Sequence, residues 1–216
     1  MLRLWLFNGL AAAGLALMAL MAAAPPAAAK GPVSILTLGD SLTAGYGLPS
    51  DQAFPVRLQA ALKARGIDAV VDNAGVSGDT TAGGLARLDW TLAGTKPRFA
   101  IVVLGGNDGL RGLDPATTRA NLDAILTKLQ AASVRVLLAG MLAPPNLGRD
   151  YGREFNAIFP ELAAKHGVAL YPFFLDGVAA DPALNQADGI HPNAKGVDII
   201  VQRILPDVTK LIGDDG

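Results

Sequence analysis

The chain has 216 residues, no cysteine and a formal net charge of −1. No basic block or stripe runs along it, which argues against a nucleic-acid partner. Disulfides and thiol chemistry are excluded, and the length suffices for one domain with a sizeable core.

Residues 1–29 read as a secretory signal peptide. Arg3 gives a short positive end, an apolar stretch runs from Leu4 to about Ala24, and Ala27-Ala28-Ala29 supplies small residues for cleavage. The rival is an uncleaved anchor, because Leu4–Ala24 is long enough to span a bilayer. Cleavage near Ala29 is preferred, since the A-x-A site is present and the second half of the run is mostly weakly apolar alanine. The expectation is a periplasmic or secreted protein, with no stable membrane span after cleavage. Residues 30–216 then form a single domain of net charge −2.

Residues Pro25–Pro32 are a Pro- and Ala-rich lead-in. Val33–Leu38 is an apolar, β-branched run and predicts a buried strand. Gly39-Asp40-Ser41-Leu42 follows as a strand-to-helix turn, with Asp40 or Ser41 a candidate N-cap. Phe54–Arg65 has apolar residues near helical spacing and a stop at Gly66. Ile67–Val71 predicts a second strand ended by Asp72-Asn73, then a loop over Gly75–Gly78. Thr80–Ala93 predicts a helix, with Ser77 or Asp79 as cap and Lys96-Pro97 as breaker.

Phe99–Leu104 is the clearest buried strand, and it runs into a loop at Gly105-Gly106-Asn107-Asp108. Asp114-Pro115 opens a helix that continues to about Ala131. Val134–Ala139 is the fourth strand, followed by a loop with Pro144-Pro145. Tyr151–Lys165 is a helix closed by His166-Gly167, and Val168–Tyr171 a short fifth strand. A polar loop reaches Asp188-Gly189-Ile190-His191-Pro192, and Ala194–Ile212 is a last helical stretch that Pro206 is expected to kink or interrupt. Alternating apolar strands and helices predict an α/β fold: a three-layer α/β/α sandwich around a five-stranded parallel sheet.

The strong polar clusters fall after strands or in the last loop. In a parallel sheet the strand carboxyl ends share one edge, so the clusters can converge. Asp188 and His191, three apart, suit a carboxylate that orients an imidazole and leaves Nε2 as a base. The plain alternative makes His191 a helix cap with Pro192 at the first helical position. The other histidine, His166, sits at a predicted helix end, where an imidazole suits the dipole. Gly78 and Asn107 are candidate donors to an oxyanion beside the Ser41 N–H; taken singly, each reads first as an ordinary turn residue.

Taken together, Gly39-Asp40-Ser41-Leu42, the Gly78 loop, Gly105-Gly106-Asn107-Asp108 and Asp188-Gly189-Ile190-His191-Pro192 occur in the order of the GDSL or SGNH hydrolases. The strings from Gly39 to Leu48 and from Gly105 to Gly112 resemble one branch, the exported bacterial arylesterases and multifunctional acyl-CoA thioesterase/lysophospholipases. The resemblance covers Val33 to Ile212. It implies the flavodoxin-like SGNH fold. It implies Ser41 as nucleophile, His191 as general base and acid, and Asp188 as its orienting carboxylate. The oxyanion hole would be the Ser41 N–H, the Gly78 N–H and the Asn107 side chain.

The expected activity is hydrolysis of a small-molecule or lipid ester or thioester through an acyl-enzyme, with no cofactor. No metal site is expected, given two distant histidines and no cysteine. Leu110, Leu113, Leu142, Pro144 and Pro145 are candidate acyl-lining residues, unless the leucines belong to the core. Arg111 reads as a solvated loop arginine, with a substrate contact as the alternative, and Asp40 and Asp108 as loop fasteners beside the catalytic positions. Two rivals stand beside this: a deacetylase of carbohydrate or cell-envelope glycan, and a non-catalytic binding protein. With two tryptophans, one of them Trp5 in the signal peptide, and three tyrosines, few aromatic platforms exist for a sugar. Nothing calls for more than a monomer.

Overall fold

Apolar, β-branched runs become the middle of a sheet. In the computed structural model, which describes residues 31–213, β1 (Val33–Gly39) and β3 (Phe99–Val103) lie side by side at its centre. Every residue of β3 is buried, as a strand covered on both faces requires. β2 (Ala69–Gly75), β4 (Arg135–Ala139) and β5 (Ala169–Tyr171) complete five parallel strands in the order β2-β1-β3-β4-β5.

The helices are α1 (Ser41–Ala44), α2 (Phe54–Ala64), α3 (Thr81–Thr95), α4 (Gly106–Leu110), α5 (Pro115–Ala131), α6 (Arg149–His166) and α7 (Ala194–Ile212). α2 packs on α7, and α3, α5 and α6 pack in succession; β4 touches both α5 and α7. This is the three-layer α/β/α sandwich expected. Among the described residues, no helix is long and apolar enough to cross a membrane. The signal-peptide reading of residues 1–29 lies outside the described residues.

Several elements differ from the sequence expectation. β2 runs through Asp72 and Asn73 to Gly75, because β1 offers it a continuous parallel partner: Leu36 pairs with Asp72 and Thr37 with Asn73. Thr37 Oγ1 also donates to Asp72 O (2.7 Å). β2 is an edge strand, so its polar side chains need not be buried. Thr80, not Ser77 or Asp79, caps α3, accepting from Gly83 N–H. Gly106–Leu110 is a short helix where a loop was expected. α7 runs unbroken through Pro206, with Val197, Ile200, Val201, Ile204, Leu205, Val208, Leu211 and Ile212 buried on both sides of it. That burial outweighs the hydrogen bond the proline cannot make.

The chain leaves β1 for β2 on one side and returns to β3 on the other. The sheet therefore has a switch point between β1 and β3, and a crevice opens outside their carboxyl ends. Gly39 ends β1 there. A Cβ on it would lie 2.0 Å from Thr43 Oγ1 and 2.9 Å from Val103 O, so only glycine lets the chain turn so tightly into α1.

Candidate active site

Ser41 stands at the switch point as the first residue of α1. Asp40 is the N-cap, its Oδ1 accepting from Leu42 N–H (3.0 Å). Cap and nucleophile candidate are thus adjacent residues, and the two roles do not compete. The Ser41 N–H is at the helix start and has no hydrogen-bond partner among the described residues.

His191 arrives from the other end of the chain. It is not a helix cap: Asn193 caps α7, accepting from Gly196 N–H, and Pro192 precedes that cap. The turn before it is held by Asp188. Asp188 Oδ1 accepts from Ile190 N–H (2.9 Å) and His191 N–H (3.0 Å). Asp188 Oδ2 accepts from His191 Nδ1–H (2.7 Å). The His191 main-chain N–H, the His191 ring and the Ile190 N–H together hold the Asp188 carboxyl down to about 2. An ionised Asp188 can only accept, so Nδ1 carries a proton, and in the neutral imidazole Nε2 is then the acceptor. Ser41 Oγ lies 3.0 Å from Nε2 and donates to it in that tautomer. The Tyr46 ring lies against the His191 ring, centroids 4.6 Å apart and planes tilted by 40°.

Gly78 has φ +86°, a conformation that favours glycine. Its N–H is unpaired among the described residues. Its carbonyl accepts from Arg111 Nη2 (2.9 Å), so Arg111 fastens this loop rather than standing free in solvent. Asn107, on α4, donates from Nδ2 to Asp79 O (2.9 Å) and to Asp40 Oδ2 (3.3 Å). Its amide therefore touches the residue beside Gly78 and the residue beside Ser41. Asn107 thus links the Gly78 loop to the Ser41 turn.

Two buried carboxylates hold the loops, as the sequence suggested. Asp108 accepts from the Thr81 N–H and hydroxyl and from the Thr118 hydroxyl, tying α4 to α3 and α5. Asp40 is buried, and burial pushes its carboxyl up to about 6 against the opposing pull of the Leu42 N–H, His191 and Asn107. Arg87, which the sequence did not single out, donates to Asp79 Oδ2 (2.7 Å) and Gly39 O (2.9 Å) and so joins the Gly78 loop to the end of β1. Its position on a helix carried no signal of this.

The candidate acyl-lining leucines are not core residues: Leu110, Leu113 and Leu142 are 51, 38 and 50% exposed. Leu110 ends α4, three residues from Asn107. Leu142 and the half-buried Pro144 follow β4 at the same sheet edge, and Pro145 is exposed. A concavity of about 490 Å³ opens at the opposite edge, lined by Gln130, Arg135, Asp207 and Lys210 among others. Its lining holds no nucleophile beside a base.

Residues 37–199 match the model of the GDSL-like Lipase/Acylhydrolase family. The chain belongs to this family. Esterase TesA of Pseudomonas aeruginosa is 42% identical over 179 residues, 83% of this chain and 89% of the relative. Thioesterase 1/protease 1/lysophospholipase L1 of Escherichia coli (strain K12) is 41% identical over 182 residues, 84% of this chain and 86% of the relative. The crystal structure of AlinE4, an SGNH-hydrolase family esterase, is 50% identical, covers 84% of this chain and 97% of that one, and superposes with a TM-score of 0.71. The fold is therefore that of the SGNH hydrolases, and the protein is a hydrolase. The family match spans Ser41, Gly78, Asn107, Asp188 and His191.

Proposed function

We propose that this protein is an exported serine esterase that hydrolyses carboxylic esters or thioesters through an acyl-enzyme on Ser41. The hydrogen-bonded series Ser41 Oγ, His191 Nε2 and Asp188 carries the reading. An alcohol beside a bare imidazole nitrogen, backed by an ionised carboxylate, is the arrangement nucleophilic acyl transfer needs.

Ser41 Oγ attacks the carbonyl carbon, and its proton passes to His191 Nε2. The carbonyl oxygen becomes an oxyanion beside the Ser41 and Gly78 N–H groups. The Asn107 hydrogen facing Asp40 has the longer of its two contacts and turns to the oxyanion. As the intermediate collapses, the carbon–oxygen or carbon–sulfur bond to the leaving group breaks. Nε2 returns the proton to the leaving group. Water then attacks the acyl carbon by the same route, giving the acid and free Ser41. Asp188 keeps its charge throughout and stabilises the imidazolium. No step calls for a cofactor.

The exposed leucines at the sheet edge favour an acyl chain over a sugar. The names of the relatives, an esterase and a thioesterase/lysophospholipase, agree with that substrate class. Residues 1–29 are proposed to direct export, so the N-terminal residue of the exported protein is expected to be Lys30 on sequencing.

The function is tested with p-nitrophenyl acetate, butyrate, octanoate and palmitate, using the mature protein and Ser41→Ala. Turnover by the wild type and a loss of several orders of magnitude in the variant are expected. Inactivity of both on all four esters would contradict the reading and direct attention to acetylated glycans.

A further inference from the structure

Ser41 and His191 are 150 residues apart in the chain, yet their side chains must stay within hydrogen-bond reach. The turn that carries His191 is largely exposed: Ala187, Asp188, Gly189 and Ile190 all face solvent. It is not part of the sheet, and α7 begins only after it. Something must hold this turn against the segment that carries Ser41.

Gln186 makes that connection. Its side-chain Nε2 donates to Tyr46 O (2.8 Å) and to Pro192 O (3.0 Å). Its main-chain N–H donates to His191 O (2.7 Å), and its carbonyl accepts from Gly189 N–H (2.9 Å). On the other side, Tyr46 N–H donates to Ser41 O (3.1 Å). A continuous path of main-chain and amide bonds therefore runs from the Ser41 carbonyl through Tyr46 and Gln186 to the His191 carbonyl. Gly47 lets the amide sit close: a Cβ there would lie 2.2 Å from Gln186 Oε1. The Tyr46 ring also lies against the His191 imidazole, tilted by 40°.

We propose that Gln186 is a positioning residue that clamps the His191 turn to the Ser41–Gly47 segment and so sets the Nε2–Oγ geometry. This rests on the roles of Ser41 and His191 proposed above. Gln186 acts only through its neighbours. Tyr46 is exposed, so water can replace the amide at its carbonyl, while Pro192 is buried and its carbonyl loses a partner. What is lost is the alignment of the base, and a misplacement on the order of 1 Å can cost about a hundredfold in rate.

The test compares Gln186→Met, which keeps the length and removes the donor, and Gln186→Glu, which keeps the shape and sets a carboxylate against two carbonyls. Second-order rate constants kcat/KM are measured on p-nitrophenyl butyrate and on ethyl butyrate, normalised to folded fraction by circular dichroism. p-Nitrophenolate departs without a proton, whereas ethoxide needs one from Nε2. A misplaced His191 therefore hurts the ethyl ester more, while a merely structural loss lowers both alike. The expected result is a fall of about tenfold or more on the aryl ester and at least about threefold further on the ethyl ester. Wild-type activity with Ser41→Ala inactive, but variants within twofold of wild type or equally reduced on both esters, would overturn this inference alone. An inactive wild type or an active Ser41→Ala would overturn the esterase reading, and this inference with it.

Discussion

Asn107 donates both amide hydrogens within the protein before any substrate is present. Its short bond to Asp79 O holds the side chain, and its long one to Asp40 Oδ2 can be exchanged for an oxyanion. Asn107→Ala is expected to lower kcat by about 10²–10³, with KM little changed, in steady-state kinetics. Asp40 and Asp188 show how environment separates two like groups. Burial pushes Asp40 up to about 6, and hydrogen bonds from His191 and Ile190 hold Asp188 down to about 2. Between pH about 4 and 6 the folded protein keeps a proton on Asp40 that the unfolded chain has released, so this group's contribution to stability declines as pH rises through that window. Asp188 works in the opposite sense: its contribution is present above about pH 4 and is lost as pH falls towards 2. Carboxyl carbon NMR titrations are expected to place the Asp40 midpoint near 6 and the Asp188 midpoint near 2.

At the scale of elements, the two central strands supply the site and the helices keep it in register. β1 and β3 were legible because their apolar runs are nearly unbroken, and Ser41 and Asn107 follow them directly. The far half of β2 was not, because Asp72 and Asn73 resemble a strand end and only the pairing with β1 extends it. α4 was hidden for a related reason. Gly-Gly-Asn-Asp has turn composition, and its helical form depends on Asp108 being held by Thr81 and Thr118 from other helices. Tyr46, Arg87 and Gln186 carried no local signal, since each acts through a partner far away in sequence: Arg87 reaches Gly39 across 48 residues and Gln186 reaches Tyr46 across 140. α7 gives an element-scale test. Ile204 is fully buried two residues before Pro206. Ile204→Ala is expected to cost about 2–5 kcal/mol in urea unfolding. The kcat/KM of the folded fraction should stay near wild type, because Ile204 packs in the core and takes no part in the site.

At the scale of the molecule, one sheet edge gathers chemistry from both ends of the chain. Ser41 comes from the first strand-to-helix turn, Gly78 from the loop after β2, Asn107 from α4 after β3, and Asp188 and His191 from the turn before α7. A parallel sheet brings the turns after its strands to one edge, so the order of motifs in the sequence already put the candidate residues where they can meet. The precise contacts did not follow from that order; they depend on the carboxylates and amides that fasten each turn to its neighbour. The most direct measurement is covalent labelling by a fluorophosphonate probe, read by peptide mass spectrometry on the wild type and Ser41→Ala. The expected result is a single adduct on Ser41, absent from the variant. No adduct on Ser41, or an adduct on another residue with Ser41 unmodified, would contradict Ser41 as the activated nucleophile.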